Sequence, residues 1–165
     1  MDLAANSALW FLPFVIPIAL YTAFSDLRTM KIPNYAVIAL VVVYVVVGPI
    51  ALPLADYLWG YAALVIVLLF GFILSLARAI GAGDAKFIAA AAPFIAFGDI
   101  LVILTILTAN LLGTFATHRI VKYTPPLRNM AADWKSWNTG AKFPMGFALA
   151  SSLVFYLSLA IVFGR

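Results

Sequence analysis

The sequence predicts an all-α polytopic membrane protein: one integral-membrane domain over residues 1–165, built as a bundle of six transmembrane helices with both the N-terminus and the C-terminus outside. Three observations carry that expectation. Hydrophobic residues make up 66% of the chain and charged residues 10%, with a mean hydropathy of +1.13, far from the composition of soluble domains. Uncharged runs of membrane-spanning length recur along the chain. The basic residues between those runs alternate from one connection to the next.

The first run, Leu3 to Phe24, is free of charge and would cover ~33 Å as a helix at ~1.5 Å per residue. Only Asp2 precedes it as a charge and further runs follow, so it is expected to stay as a helix rather than be cleaved as a signal peptide. The second run starts at Tyr35, after Pro33-Asn34, and fades near Pro49 and Pro53; the third goes from Tyr57 to Ala77 and stops at Arg78. The fourth, Phe87 to Phe97, is short and interrupted by Pro93, so it is expected either to tilt or to extend back towards Asp84. The fifth covers Ile100 to Thr117 and the sixth Met145 to Phe163, separated by a long connection from His118 to Ala141.

Charge tests this division. Arg28 and Lys31 fall in the first connection, Arg78 and Lys86 in the third, and Arg119, Lys122, Arg128, Lys135 and Lys142 in the fifth. The second and fourth carry none. Basic residues favour the cytoplasmic side, so nine of the ten face inward and only Arg165 lies outside. The formal charge of +4 is dispersed over these connections rather than gathered in a stripe, which argues against nucleic acid as a partner.

Composition also removes most chemistries. Without Cys there are no disulfides, thiolate nucleophiles or sulfur-ligated zinc. With a single His and no Glu, a His-Glu-x-x-His metal site is excluded, and no Gly-x-Ser-x-Gly turn exists to present a serine to His118. A lone His reads as an interfacial polar residue, and His118 is assigned no role. Carboxylates remain. Two Asp side chains sharing a proton activate water with one carboxylate and polarise a carbonyl with the other, with no metal and no cofactor. The topology brings Asp26 and Asp84 to the same depth, at the cytoplasmic ends of the first and fourth spans.

Each acid also has a structural reading. Asp84 precedes an apolar run and suits helix N-capping, as do Asp56 and Asp99. Asp26 follows the C-terminal end of a helix, where the dipole disfavours an anion, so pairing with Arg28 or Lys31 and a catalytic role stay open together. The same dipoles make Asp26 the expected holder of a shared proton and lower the affinity of Asp84 for it. Gly81 and Gly83, flanking Ala82, either form a turn or admit an extended peptide beside Asp84.

Two stretches together, Asp26-Leu-Arg-Thr-Met-Lys-Ile-Pro-Asn34 and Gly81-Ala-Gly-Asp-Ala-Lys86, resemble the type IV prepilin peptidases, a group within the Gly-x-Gly-Asp aspartyl proteases. The resemblance implies that Asp26 and Asp84 are the catalytic acids, with Arg28, Pro33, Asn34, Gly81, Gly83 and Lys86 binding substrate or supporting the site. The size of the chain is similar to the small form associated with tight-adherence (Flp-type) pili. Bifunctional members carry an extra cytoplasmic region, often with paired Cys-x-x-Cys motifs, and methylate the new N-terminus using S-adenosylmethionine. This sequence has neither the cysteines nor that length, so a peptidase without methylation is expected. Phe143-Pro-Met-Gly-Phe-Ala148 resembles a Pro-Tyr-Gly segment of the small form, with Met145 in place of the tyrosine.

What the resemblance implies is an endopeptidase of the bacterial inner membrane that removes the cytoplasmic leader from prepilins or pseudopilins, in contact with membrane lipid and with pilus-assembly machinery. The connection from His118 to Ala141, with Trp134 and Trp137, is expected along the interface as a lipid anchor or a substrate contact. Two other classes compete. A small transporter or channel would use intramembrane acids near the midplane, and a noncatalytic pilus-assembly protein would not need them.

Overall fold

The structure is a computed structural model that describes residues 1–139 and 143–165. Gly140, Ala141 and Lys142, the last of them counted above among the cytoplasmic basic residues, lie outside the described residues. The protein is helical: α1 (Ala5–Thr29), α2 (Asn34–Ala51), α3 (Leu54–Leu76), α4 (Ala82–Ala91), α5 (Ile100–Tyr123), α6 (Pro125–Asn129) and α7 (Met145–Phe163), with 3-10 turns at Ala92–Phe94, Phe97–Asp99 and Lys135–Asn138. Five helices among the described residues are long and apolar enough to cross a membrane: α1, α2, α3, the stretch Phe97–Tyr123 that contains α5, and α7.

The fourth expected span is where helix geometry departs from expectation. As an α-helix of ten residues, α4 covers only ~15 Å. Pro93 sits in the 3-10 turn that follows, and Ile95 and Ala96 are extended. Extended residues rise about twice as far as helical ones. The segment therefore joins the same two ends of the bundle as α1 without being one continuous helix: Asp84 is at the Asp26 end, and the Asp99 carboxylate accepts the Asp2 and Leu3 N–H groups at the other (2.9 and 3.1 Å). A second boundary also moves. The long connection starts later than expected, because α5 continues through His118 to Tyr123 and α6 follows it.

The core is laid around α1, which packs most closely on α7 and then on α2. The Ser7 hydroxyl donates to the Ala51 carbonyl at 2.5 Å, which sets α2 antiparallel to α1. Phe11, Tyr44 and Phe94 bring α1, α2 and the turn after α4 together, with an edge-on Phe11–Phe94 contact at 4.9 Å. Tyr156, Leu153 and Leu157 of α7 complete the buried interior. By contrast α3 and α5 bury few residues and leave Leu, Ile and Phe side chains outward, the pattern of helices whose outer faces meet lipid.

Candidate active site

One end of the bundle gathers the residues that the sequence separates widely. Asp26 lies in the last turn but one of α1, which closes at Met30 in the left-handed conformation (φ 58°), its N–H donating to the Asp26 carbonyl at 2.8 Å. The chain then turns through Ile32 and Pro33 into α2, with the Ser25 hydroxyl bonded to the Lys31 carbonyl. Asp84 is the third residue of α4, whose N-cap is Gly81. It is therefore not the N-cap itself. Its carboxyl folds back towards the Gly81 N–H, the geometry of a capping box without the reciprocal cap side chain.

Asp26 is 5% exposed. Its Oδ2 accepts the Gly146 N–H at 2.7 Å, with the Phe147 amide also directed at it. These are the first-turn amides of α7, which has Pro144 as its N-cap and no capping side chain of its own. Asp26 thus caps a helix after all, one 120 residues away rather than its own. A carboxylate at a helix N-terminus meets both unsatisfied N–H groups and the positive end of the dipole. That contact offsets the unfavourable end of α1. Arg28, the expected ion-pair partner, instead lies over the Phe24 ring, 6.0 Å from its centroid.

The two carboxyl groups lie within electrostatic reach of each other. Burial pushes the Asp84 carboxyl above the ordinary carboxylate range, against the Gly81 amide that acts to lower it. The expected lowering of Asp84 by its helix end is therefore outweighed by desolvation. With α7 capping Asp26 and burial acting on Asp84, helix dipoles are not what ranks the two acids as proton carriers.

Ile32 joins the two sides. A Cβ built on Gly83 would sit 3.5 Å from the Ile32 Cβ, and one built on Gly146 would sit 2.8 Å from the end of the Ile32 side chain and 2.9 Å from Asp26 Oδ2. A Cβ on Gly81 would come within 2.6 Å of Asp84 Oδ2. Beside them the Lys86 ammonium donates to the Asn34 side-chain oxygen at 3.2 Å, tying α4 to the start of α2. Of the residues expected to support the acids, Gly81, Gly83, Lys86, Pro33 and Asn34 gather here, whereas Arg28 turns outward. Ile32 and Gly146 are the neighbours that sequence reasoning did not single out. Both stand inside stretches quoted for the resemblance, but nothing in those stretches marked either as a contact of Asp26.

A membrane-type helical bundle with one buried and one half-buried acid at one end defines the class of protein. Residues 13–117 match the model of the type IV leader peptidase family, and the chain belongs to that family. Both Asp26 and Asp84 fall within the match. No curated protein and no solved structure gives a match.

Proposed function

We propose that this chain is an intramembrane aspartyl endopeptidase of the Gly-x-Gly-Asp type that removes the cytoplasmic leader from type IV, Flp-type, prepilins or pseudopilins in the bacterial inner membrane. The observation that carries the reading is the approach of Asp26 and Asp84, 58 positions apart in the sequence, at one end of the bundle. One carboxylate takes a proton from water as the oxygen attacks the scissile carbonyl. The other, protonated, donates a hydrogen bond to that carbonyl oxygen and stabilises the tetrahedral intermediate. Collapse breaks the C–N bond, and the departing amine takes up the proton. No metal or cofactor is required for these steps.

The topology proposed with it has six crossings and both termini outside. Support comes from charge: Arg28, Lys31, Arg78, Lys86, Arg119, Lys122, Arg128 and Lys135 are all at the Asp26 end, opposite Asp2 and Asp99. Phe87–Asp99, whose helix is broken at Ile95–Ala96, serves as the sixth crossing. Acids at an end of the bundle, next to water, suit cleavage where a basic leader meets an apolar helix. A transporter would want them near the midplane.

The test is leader removal from a co-expressed prepilin by Asp26→Asn and Asp84→Asn. Asn at position 26 keeps an oxygen for the Gly146 N–H, so loss of cleavage at unchanged protein level isolates the chemistry from the fold. Retained cleavage in both variants would remove the proposal.

A further inference from the structure

His118 is a buried ionisable group that the proposed chemistry leaves unused. It is 3% exposed, and neither ring nitrogen has a hydrogen-bond partner among the described residues. Burying polar atoms without partners is unfavourable, so the ring itself is what the fold employs. It stacks on Trp137 (centroids 4.9 Å apart, planes at 23°) and meets Phe143 edge-on. Trp137, whose Nε1 donates to the Ala131 carbonyl at 2.7 Å, stacks in turn on Trp134 (5.7 Å, 14°). Trp134 meets Phe24 edge-on at 6.0 Å. The aromatic series therefore runs from α5 to the last turns of α1 without a break.

Phe24 and Asp26 are two residues apart, about 200° around a helix of ~3.6 residues per turn. Contact on Phe24 from one side thus seats Asp26 on the other, against α7. The chain after α5 reaches the same turn twice: Trp134, in the connection to α7, presses on Phe24, and Gly146, in the first turn of α7, donates to Asp26.

We propose that Trp134 is a positioning residue for Asp26: the His118–Trp137–Trp134 stack, bearing on Phe24, fixes the rotation of the last turns of α1 that holds the Asp26 carboxylate on the Gly146 amide. The catalytic part of this claim rests on the function proposed above. His118 acts in it as an aromatic plate, not as an acid or base.

The experiment uses the full chain in lipid vesicles with a prepilin substrate. It measures kcat, KM and hydrogen exchange in peptides covering the Gly146 and Phe147 amides. Trp134→Ala is expected to lower kcat about tenfold, as small misplacements of a reacting group do, with KM held within roughly twofold and faster exchange at those amides. Trp134→Phe restores both quantities, and His118→Phe, which keeps a ring on Trp137, leaves both near wild type. Should Trp134→Ala not accumulate as folded protein, Phe24→Ala removes the other half of the contact and carries the same expectation.

Unchanged kcat and exchange in Trp134→Ala overturn the proposal. So does a rise in KM alone, which would make Trp134 a substrate contact. Loss of turnover in His118→Phe with normal exchange also overturns it, by assigning His118 a chemical role. If the wild-type chain leaves the prepilin uncut, the function falls while the exchange data still decide the positioning.

Discussion

The Asp26 carboxylate and the Gly146 N–H, 2.7 Å apart, join the end of α1 to the beginning of α7, so an acid of the proposed catalytic pair is also the cap of a neighbouring helix. A methyl group at 146 has no room: it would meet Asp26 Oδ2 at 2.9 Å and the Ile32 side chain at 2.8 Å. Gly146→Ala is expected to lower leader cleavage by ~10–100-fold and to cost about 1–3 kcal/mol of stability through overpacking. Adding Ile32→Val, which removes Cδ1, should recover part of the stability and less of the activity. Thermal unfolding and cleavage assays on the single and double variants check this, and a fully active Gly146→Ala would contradict it.

The two glycines of the Gly81-Ala-Gly-Asp84 stretch predict opposite behaviour. At Gly81, φ is −69°, which any residue adopts, but its Cβ would displace the Asp84 carboxyl. That carboxyl can rotate away, so Gly81→Ala should fold normally and lose most activity. Gly83 has ordinary van der Waals room beside Ile32 and lies inside α4, where Ala is favoured by roughly 0.5–1 kcal/mol. Gly83→Ala should therefore keep its thermal stability or gain some. Equal losses of activity in both variants, with equal stability, would refute the distinction.

Burial that raises the Asp84 carboxyl fixes the sign of a pH effect. A group that binds its proton more tightly when folded contributes stability below its unfolded value, and that contribution disappears as pH rises through the folded value. Asp84→Asn, which carries no charge at any pH, should accordingly be more stable than the wild type at neutral pH, with the gap narrowing as pH falls towards the ordinary carboxylate range. Chemical denaturation of both proteins across that range tests it. A gap that widened on acidification would reverse the sign.

Much of this arrangement was legible in the sequence because hydrophobic runs and alternating basic connections answer directly to the bilayer. That Asp26 and Asp84 belong to one end of the bundle followed from counting those runs. What eluded the sequence depended on packing. Pro93 signalled an interruption, yet the extended Ile95–Ala96 step that follows takes its length from the bundle around it. Asp26 looked poorly suited to its helix end because its true partner, the start of α7, lies far along the chain. His118 read as interfacial because neither hydropathy nor spacing announces that Trp137 will cover its ring.

Within the apolar region, Asn110 ties α5 to α7 by hydrogen bonds. Asn110 Nδ2 donates to the Ala148 carbonyl at 2.9 Å and to the Ser151 and Ser152 hydroxyls at 2.7 and 3.0 Å. Such bonds between membrane helices are worth about 0.6 kcal/mol on average and rarely above ~1.7. Asn110→Leu should cost about 1 kcal/mol, since the serine hydroxyls keep their own bonds to the Phe147 and Ala148 carbonyls. Unfolding of the variant in mixed micelles measures this, and a loss several times larger would mean that α5 relies on Asn110 far more than its geometry implies.

At the far end Asp99 closes the structure as Asp26 does at the near one, by accepting backbone N–H groups from a neighbouring segment. Its carboxylate accepts the Asp2 and Leu3 N–H groups and, at 2.8 Å, the Tyr156 hydroxyl, which itself accepts the Ala96 N–H at 3.1 Å. Tyr156 is fully buried, so Tyr156→Phe leaves both the carboxylate and the Ala96 N–H short of a partner, at a cost of roughly 1–3 kcal/mol. The residues that lose their bond hold the segment after α4 to α1 and α7, on the side of the bundle opposite Asp26 and Asp84. Thermal stability should therefore fall while cleavage well below the unfolding temperature stays close to wild type. A variant that kept its stability but cleaved slowly would mean that tension along the Asp84–Asp99 segment reaches the acids, and that the two ends of the bundle are mechanically coupled.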